Sequence, residues 1–196
     1  MVETGERAPA APQQVRSRKK RQKLLEAGRR VFAEKGYQAA SIAEITSRAG
    51  TAAGGFYQYF SSKRQLLAVL MNELIGCLSR LDLRPEAGGD PRTGLRRFLA
   101  AVFRVDVAYY GVVRAWREAA LSDAQFGRMQ KEIETWTQSR ILGVFRRLRK
   151  RRDRDLPAFA RMMDRHLWSL MAGGSRISPR DIRVAADVIY LYLRSD

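Results

Sequence analysis

The sequence predicts an all-α fold of about nine helices. Apolar residues recur at helical spacing along most of the chain, as they do on the buried face of a helix. Helix-start signals precede several of these stretches, and no stretch shows a convincing alternation of apolar and polar residues that would indicate a strand. No apolar run approaches the ~18 residues of a transmembrane helix. We therefore expect a soluble, cytoplasmic protein without a membrane partner.

The first three predicted helices follow one another closely near the N-terminus. The apolar face of the first helix carries Leu24, Leu25, Ala27, Val31 and Phe32. Ser41 and Glu44 form a capping box at the start of the second helix, and Gly50 ends it in a short turn. A third helix of about two turns then runs from about Ala52 to Phe60. Two short helices around a glycine turn are typical of a helix-turn-helix, which presents a helix to a DNA groove.

The segment from about Lys23 to Leu70 resembles the DNA-binding domain of the TetR family of bacterial one-component repressors. The order of features matches throughout: an apolar first helix, the capped second helix, the aromatic block Phe56–Phe60 and a fourth helix that opens at Ser62 and Lys63. The resemblance covers about a quarter of the chain. It implies a C-terminal helical domain that binds a small effector and dimerises.

Three segments are expected on this basis. Residues 1–15 are rich in Ala and Pro and are expected to form a disordered leader. Residues 16–64 are expected to form a three-helix helix-turn-helix domain with a basic arm. Residues 65–196 are expected to form the effector-binding and dimerisation domain.

The resemblance also implies which residues contact DNA. Ser41, Tyr57, Tyr59 and Lys63 correspond to phosphate or groove contacts, and Ala52, Ala53, Gly54 and Gly55 correspond to the start of the recognition helix. Members of the family commonly carry polar side chains at several of the latter positions, whereas this chain offers methyl groups and bare backbone. Bidentate readout of guanine or adenine is excluded from these positions, although an alanine methyl can still contact a thymine methyl.

Part of the sequence specificity is therefore expected from a basic arm ahead of the first helix. Its basic residues are Arg16, Arg18, Lys19, Lys20, Arg21 and Lys23. Because arginine is attracted to narrow minor grooves, such an arm can read the shape of DNA. The alternative is an unspecific phosphate anchor on a solvated tail.

The formal charge of +17 favours a polyanionic partner, for which we expect an operator in double-stranded DNA. Met1–Lys63 carries only +7 of this charge, so DNA binding by the first domain does not explain all of it. Much of the excess lies between Arg146 and Arg154, at the end of a long predicted helix. We interpret this run as a solvated helix end, which the helix dipole favours. A second nucleic-acid site, an acidic effector and a membrane contact are the alternatives.

The C-terminal helices begin after a proline and glycine break at Pro85–Pro91, where Asp90 and Pro91 predict a helix start. This helix is expected to end near Tyr110, with Gly111 letting the next helix leave at an angle. The last two predicted helices are apolar around much of their circumference, beyond what one core uses. In the family these helices pair with those of a second subunit, so the resemblance implies a homodimer on a pseudo-palindromic operator. The expected interface residues are Leu167, Leu170, Met171, Ile189, Tyr192 and Leu193.

An apolar effector pocket with a few polar groups is expected in the C-terminal domain. The candidate contacts are Phe103, Asp106, Tyr110, Trp116, Trp136, Arg140, Met163 and His166. The aromatic residues can equally belong to the core. His166 lies on an otherwise apolar stripe, where it is a ligand contact or a satisfied core or interface residue. An inward-facing Asp106 favours a cationic or hydroxylated ligand, whereas an outward-facing one belongs to an ordinary helical charge pair.

Catalysis is not expected. The sequence contains no G-x-S-x-G elbow, no P-loop, no G-x-G-x-x-G after a strand and no cluster of His and Cys at metal-ligand spacing. No cofactor or metal is expected either. The sequence predicts a ligand-responsive transcriptional repressor that a small-molecule effector releases from DNA. The alternatives are a weakly specific DNA-compacting protein without an effector and a protein-interaction module.

Overall fold

The computed structural model describes residues 15–81, 90–148, 154–172 and 177–194. Eight α-helices and no strand lie within these ranges. They are α1 (Val15–Lys35), α2 (Ile42–Ala49), α3 (Ala53–Tyr57), α4 (Lys63–Ser79), α5 (Pro91–Ser122), α6 (Ala124–Leu148), α7 (Leu156–Ala172) and α8 (Pro179–Arg194). The prediction of an all-α fold is confirmed. The expected leader lies outside the described residues except for Val15, and part of the arginine run, 149–153, also lies outside them.

Helix α5 is one continuous helix of 32 residues where the sequence predicted two. Gly111 lies inside it, and a Cβ atom at this position would overlap the backbone of Ala33 in α1. Glycine therefore serves here to let two helices approach closely, and it does not end a helix. The predicted break at Gly111 is wrong for this reason.

The described residues form two compact units. The first contains the described part of Met1–Gly76 together with Ala108–Lys131. The second contains the described parts of Cys77–Val107 and Glu132–Asp196. This division differs from the expected boundary after residue 64, because the greater part of α4, the second half of α5 and the start of α6 join the first unit. No described helix is long and apolar enough to cross a membrane.

The core of the first unit is built from large apolar side chains of α1, α3, α4, α5 and α6. Its fully buried members include Leu24, Leu25, Phe32, Phe56, Phe60, Leu66, Leu67, Trp116 and Phe126. Trp116 and Phe126 meet edge to face with their ring centroids 4.6 Å apart, a favourable geometry for aromatic pairs. Phe126 also meets the Tyr37 ring edge to face with the centroids 5.6 Å apart, and this contact joins the segment Ala108–Lys131 to the N-terminal part of the unit.

The second unit is held partly by ion pairs and aromatic stacking. Arg92 and Arg96 of α5 both donate to Asp187 of α8, at 2.7 and 2.9 Å. These two hydrogen bonds lower the pKa of Asp187 to about 2. Phe159 of α7 stacks on Tyr192 of α8 with ring centroids 3.7 Å apart. Helices α5, α7 and α8 are therefore connected by side-chain contacts within this unit.

Helix α8 packs with a different face than the sequence suggested. Ile189 and Leu193, expected at a dimer interface, are 1% and 4% exposed in the single chain and so belong to its own core. Tyr192 is likewise engaged by Phe159. The side chains of Leu167, Leu170 and Met171 lie outside the described residues. Val184, Val188 and Leu191 instead form an exposed apolar row along α8, which we call the α8 stripe.

Candidate nucleic-acid interface

The two ends of α2 have the predicted caps. The Ser41 hydroxyl accepts a hydrogen bond from the Glu44 N–H at 3.2 Å, and the Glu44 carboxylate accepts one from the Ser41 N–H at 3.3 Å. Gly50 ends the helix in the left-handed conformation, with φ at 64°. Because these local contacts define both ends, α2 and the turn after it have a defined geometry.

Helix α3 is shorter than predicted and presents an open face. It covers five residues, and the N–H groups of Tyr59 and Phe60 both donate to the Phe56 carbonyl as the chain leaves it. Phe56 is fully buried and anchors the helix, whereas Tyr57 is 55% exposed. The expected recognition residues Ala52, Ala53 and Gly54 are exposed as well.

The two glycines of α3 have different surroundings. A Cβ atom on Gly54 would meet nothing within 4 Å, whereas one on Gly55 would lie 2.5 Å from the Thr51 hydroxyl oxygen. Gly55 is therefore a packing position. Gly54, Ala52 and Ala53 together form an exposed surface without charged or large side chains, which we call the α3 face. Such a surface lets the backbone approach a groove closely.

The basic segment is helical and not an arm that precedes the first helix. Arg16, Arg18, Lys19 and Lys20 lie in the first turns of α1 and are exposed. The Ser17 hydroxyl hydrogen-bonds the Tyr59 hydroxyl at 2.9 Å, and the Arg21 guanidinium lies 5.5 Å from the centroid of the Phe60 ring. Arg and Lys favour helices, and these contacts hold the extended helix in place. The exposed cations therefore belong to α1 itself.

Tyr59 and Lys63, which were expected to contact DNA, direct their polar atoms to other groups of the first unit. Tyr59 is 8% exposed and engaged with Ser17. The Lys63 ammonium donates to the carbonyl oxygens of Tyr37 at 2.7 Å and Ala40 at 2.8 Å. Burial lowers the pKa of Lys63, and the negative charge of Glu118 opposes this shift. Of the four contacts that the family implies, Ser41 and Tyr57 remain exposed, while Tyr59 and Lys63 differ from the expectation.

Glu118 of α5 also binds the loop between α1 and α2. Its carboxylate accepts hydrogen bonds from the backbone N–H groups of Tyr37 at 2.7 Å and Gln38 at 3.0 Å. Gly36 has φ at 77°, and a Cβ atom there would overlap this carboxylate. Glu118 thus satisfies the loop's donors while Lys63 satisfies its acceptors. Sequence reasoning missed this contact, because it joins residues about eighty positions apart and no local pattern reports it.

Replacing Glu118 by Gln should lower the free energy of unfolding by about 1–3 kcal/mol. The amide can accept only one of the two backbone hydrogen bonds, and its NH₂ group then faces the other N–H. Urea denaturation measures the change. Glu132→Gln is the matched control, since it removes the same charge from an exposed residue. Equal unfolding free energies for the two variants would show that Glu118 does not hold the loop.

The expected effector residues are divided between the two units. Tyr110 and Trp116 belong to the first, and Phe103, Asp106, Trp136, Arg140, Met163 and His166 belong to the second. Trp116 is fully buried in the core of the first unit, and Arg140 donates to the carbonyls of Leu78 and Leu81. His166 is exposed in the single chain, so the core alternative for it is wrong, and its contact with an effector or a second subunit stays a prediction. His166 lies on the exposed face of α7 and not on its apolar stripe.

Asp106 is a buried acid, with Phe103 and Met163 buried in the same unit. Asp106 is 8% exposed, and Phe103 and Met163 are each 3% exposed. Burial raises the pKa of Asp106 to about 7, and the nearby Asp164 carboxyl contributes to the same shift. Among the residues described, no group of three or more His, Cys, Asp or Glu side chains could hold a metal ion.

Comparison with known proteins identifies the N-terminal part of the chain. Residues 24–70 match the family model described as bacterial regulatory proteins, tetR family. The uncharacterized HTH-type transcriptional regulator YvdT of Bacillus subtilis is 46% identical over 56 residues, 29% of each chain. The HTH-type transcriptional activator FasR of Mycolicibacterium smegmatis is 36% identical over 104 residues. That match covers 50% of this chain and 48% of FasR. The chain thus spans about a third to a half of the length of these relatives.

The fold also matches along most of the chain. The crystal structure of a transcriptional regulator from Pseudomonas aeruginosa PAO1 aligns with a TM-score of 0.68 at 21% identity. The alignment covers 93% of this chain and 96% of that one. At this identity the likeness concerns the fold, whereas the match over residues 24–70 concerns the sequence itself. The match to the TetR family of bacterial regulatory proteins therefore applies to residues 24–70 of this chain.

Proposed function

We propose that this protein is a DNA-binding transcriptional regulator that responds to a small-molecule effector. The observation that carries the proposal is the α3 face, which is open and uncharged on a helix-turn-helix whose α2 is capped at both ends. The exposed cations of α1, Arg16, Arg18, Lys19 and Lys20, supply phosphate contacts from the same unit. Ser41 and Tyr57 add groove or phosphate contacts.

The regulator is proposed to be a repressor that the effector releases from its operator. Release requires the effector to prefer the conformation that does not bind DNA, by about 1.4 kcal/mol for each tenfold loss of affinity. The relative FasR is named an activator, so the direction of regulation is itself a point to test. A reporter gene behind the operator, with and without the regulator, decides between the two directions.

Fluorescence anisotropy tests the DNA-binding proposal. The intergenic duplex beside the protein's own gene is compared with a scrambled duplex of equal length at physiological salt. A dedicated regulator should prefer the first by about 10³-fold or more. If every intergenic duplex binds no better than its scrambled counterpart, the alternative of a weakly specific DNA-compacting protein gains support.

The α8 stripe is proposed as part of a homodimer interface. Its three residues are 45–63% exposed and lie four and three positions apart, so they share one side of the helix. The opposite side carries the buried Ala185, Ala186, Ile189 and Leu193. A two-fold dimer through this stripe would present two α3 faces to a pseudo-palindromic operator.

Leu191→Asp should therefore convert the dimer to a monomer. A carboxylate buried at the interface without a partner is expected to weaken association by about 100-fold or more, about 3 kcal/mol. Light scattering at micromolar concentration measures the mass. Leu121→Asp is the control, since this exposed leucine lies on α5 in the first unit. A Leu191→Asp protein that keeps the dimer mass would remove the α8 stripe from the interface.

A further inference from the structure

We propose that Lys63 is a positioning residue for DNA binding and not a phosphate contact. Together with Glu118 it holds the loop between α1 and α2, so that Ser41 at the start of α2 lies where it can contact DNA. This inference rests on the proposed function, because it assigns a role in operator binding to a residue of the DNA-binding part of the chain.

The first argument is the use of the N–H donors of the Lys63 ammonium group. They donate to the carbonyl oxygens of Tyr37 at 2.7 Å, Ala40 at 2.8 Å and Gln38 at 3.3 Å. An ammonium group has three donors and no acceptor, so these three carbonyls occupy all of its donors. A phosphate could bind Lys63 only if part of the loop were released.

The second argument is that Lys63 also lies over an aromatic ring of the same loop. Its ammonium nitrogen is 4.5 Å from the centroid of the Tyr37 ring, within the range of a cation–π interaction. The Tyr37 ring meets Phe126 edge to face and stacks on Phe32, with centroids 5.6 and 6.2 Å apart. Lys63 therefore contacts both the backbone and the side chain of a residue that is packed into the unit.

The third argument is that a group of opposite charge binds the same loop. Glu118 accepts from the N–H groups of Tyr37 and Gln38 at 2.7 and 3.0 Å. Its negative charge raises the pKa of Lys63, against the larger lowering effect of burial. One cation thus binds the carbonyls of the loop, one anion binds its N–H groups, and the two charges attract each other.

The fourth argument is the place of this loop in the chain. Ala40, whose carbonyl Lys63 binds, directly precedes Ser41, the N-cap of α2. Ser41 is exposed, and its hydroxyl and its N–H group both bind Glu44 in the first turn of the helix. A displacement of the loop would therefore move the start of α2 and the DNA contact that we propose for Ser41. Lys63 can thus affect DNA binding without touching DNA.

Amide hydrogen exchange of the full chain without DNA tests whether Lys63 holds the loop. Lys63→Met keeps the aliphatic side chain and removes the donors, so exchange in residues 36–46 should become at least about tenfold faster. Exchange in residues 24–32 of α1 should not change, which would show that the effect is local. Lys20→Met, at an exposed lysine of α1, is the control and should alter neither segment. Unchanged exchange of residues 36–46 in Lys63→Met would overturn the proposal.

Lys63→Arg is the second variant, for the case that Lys63→Met does not fold. It keeps the positive charge, but a planar guanidinium does not direct three donors to carbonyls arranged around one nitrogen. Faster exchange of residues 36–46 is therefore expected here as well. Exchange equal to that of the unaltered protein would count against the proposed geometry.

The salt dependence of operator binding separates positioning from phosphate contact. Each lysine that neutralises a phosphate contributes about 0.9 to the slope of log affinity against log salt concentration. Lys63→Met should weaken binding at least about tenfold at every salt concentration and leave this slope unchanged, whereas Lys20→Met should reduce the slope. A reduced slope in Lys63→Met would make Lys63 a phosphate contact, and an unchanged affinity would remove its role in DNA binding. Either result overturns the proposal.

The two measurements also separate this proposal from the proposed function. The exchange experiment does not depend on DNA. If Lys63→Met speeds exchange but no duplex is bound specifically by the unaltered protein, the regulatory function fails while the hold of Lys63 on the loop stands. If the unaltered protein binds its operator and Lys63→Met binds equally well, the function stands and the positioning role fails.

Discussion

Replacing Ala53 by Glu is expected to abolish operator binding while the protein stays folded. Ala53 is the first residue of α3 and is exposed on the α3 face. A glutamate there would place a negative charge against the phosphates and base edges of a groove, where the current methyl group is neutral. The expected loss of affinity is about 100-fold or more, about 3 kcal/mol. Anisotropy on the operator duplex measures it, and circular dichroism checks the helix content.

Ala124→Glu is a closely matched control for this experiment. Ala124 is likewise an exposed alanine at the first position of a helix, and it belongs to the same compact unit. Both variants add one acid where the helix dipole favours it, so their effects on folding should be similar and small. Full operator affinity in Ala53→Glu would mean that α3 does not enter the groove.

The sequence could predict those parts of the fold that depend on residues close to one another in the chain. Ser41, Glu44 and Gly50 define α2 within ten residues of one another, and Asp90 defines the start of α5 by accepting from Arg92 and Thr93. Such caps depend on neighbours in the chain, and so the sequence pattern carries them.

The parts that sequence missed depend on contacts between distant segments. Gly111 resembles a helix breaker until Ala33 is seen beside it. The basic residues from Arg16 onward have the sequence of a free arm, but the hydrogen bond between the Ser17 and Tyr59 hydroxyls shows that they belong to the folded unit. Ile189 and Leu193 were expected at an interface but lie in the chain's own core. The apolar residues of α8 cover most of its circumference, and periodicity alone does not say which side the core uses.

The candidate sites divide in the same way. The α3 face could be located from the spacing of the helix-turn-helix, because motif and geometry coincide there. Lys63 lay within the motif, but its role in holding the loop of Tyr37 and Ala40 required the fold. The burial of Asp106 was open from the sequence, since a charged residue on an amphipathic helix faces either way.

The stability of the protein should fall with rising pH because of Asp106. The pKa of this group is about 7 in the folded chain and 3.8 when unperturbed, so the folded state holds the proton more tightly. The resulting stabilisation is fully present below the unperturbed pKa and is lost as the pH rises through about 7. At about 1.4 kcal/mol per pKa unit, the loss between about pH 5 and pH 8 is about 3 kcal/mol.

Asp106→Asn should remove this decline, because asparagine has nearly the same shape and does not titrate. The variant should therefore gain stability relative to the unaltered protein as the pH rises, and it should be the more stable of the two at about pH 8. Urea denaturation across this range measures the difference, and other titrating groups cancel because both chains contain them. Asp187→Asn is the control: its pKa of about 2 lies outside the range, so the variant should lose stability without a change of slope. Parallel curves for Asp106→Asn and the unaltered protein would mean that Asp106 is already ionised at about pH 5.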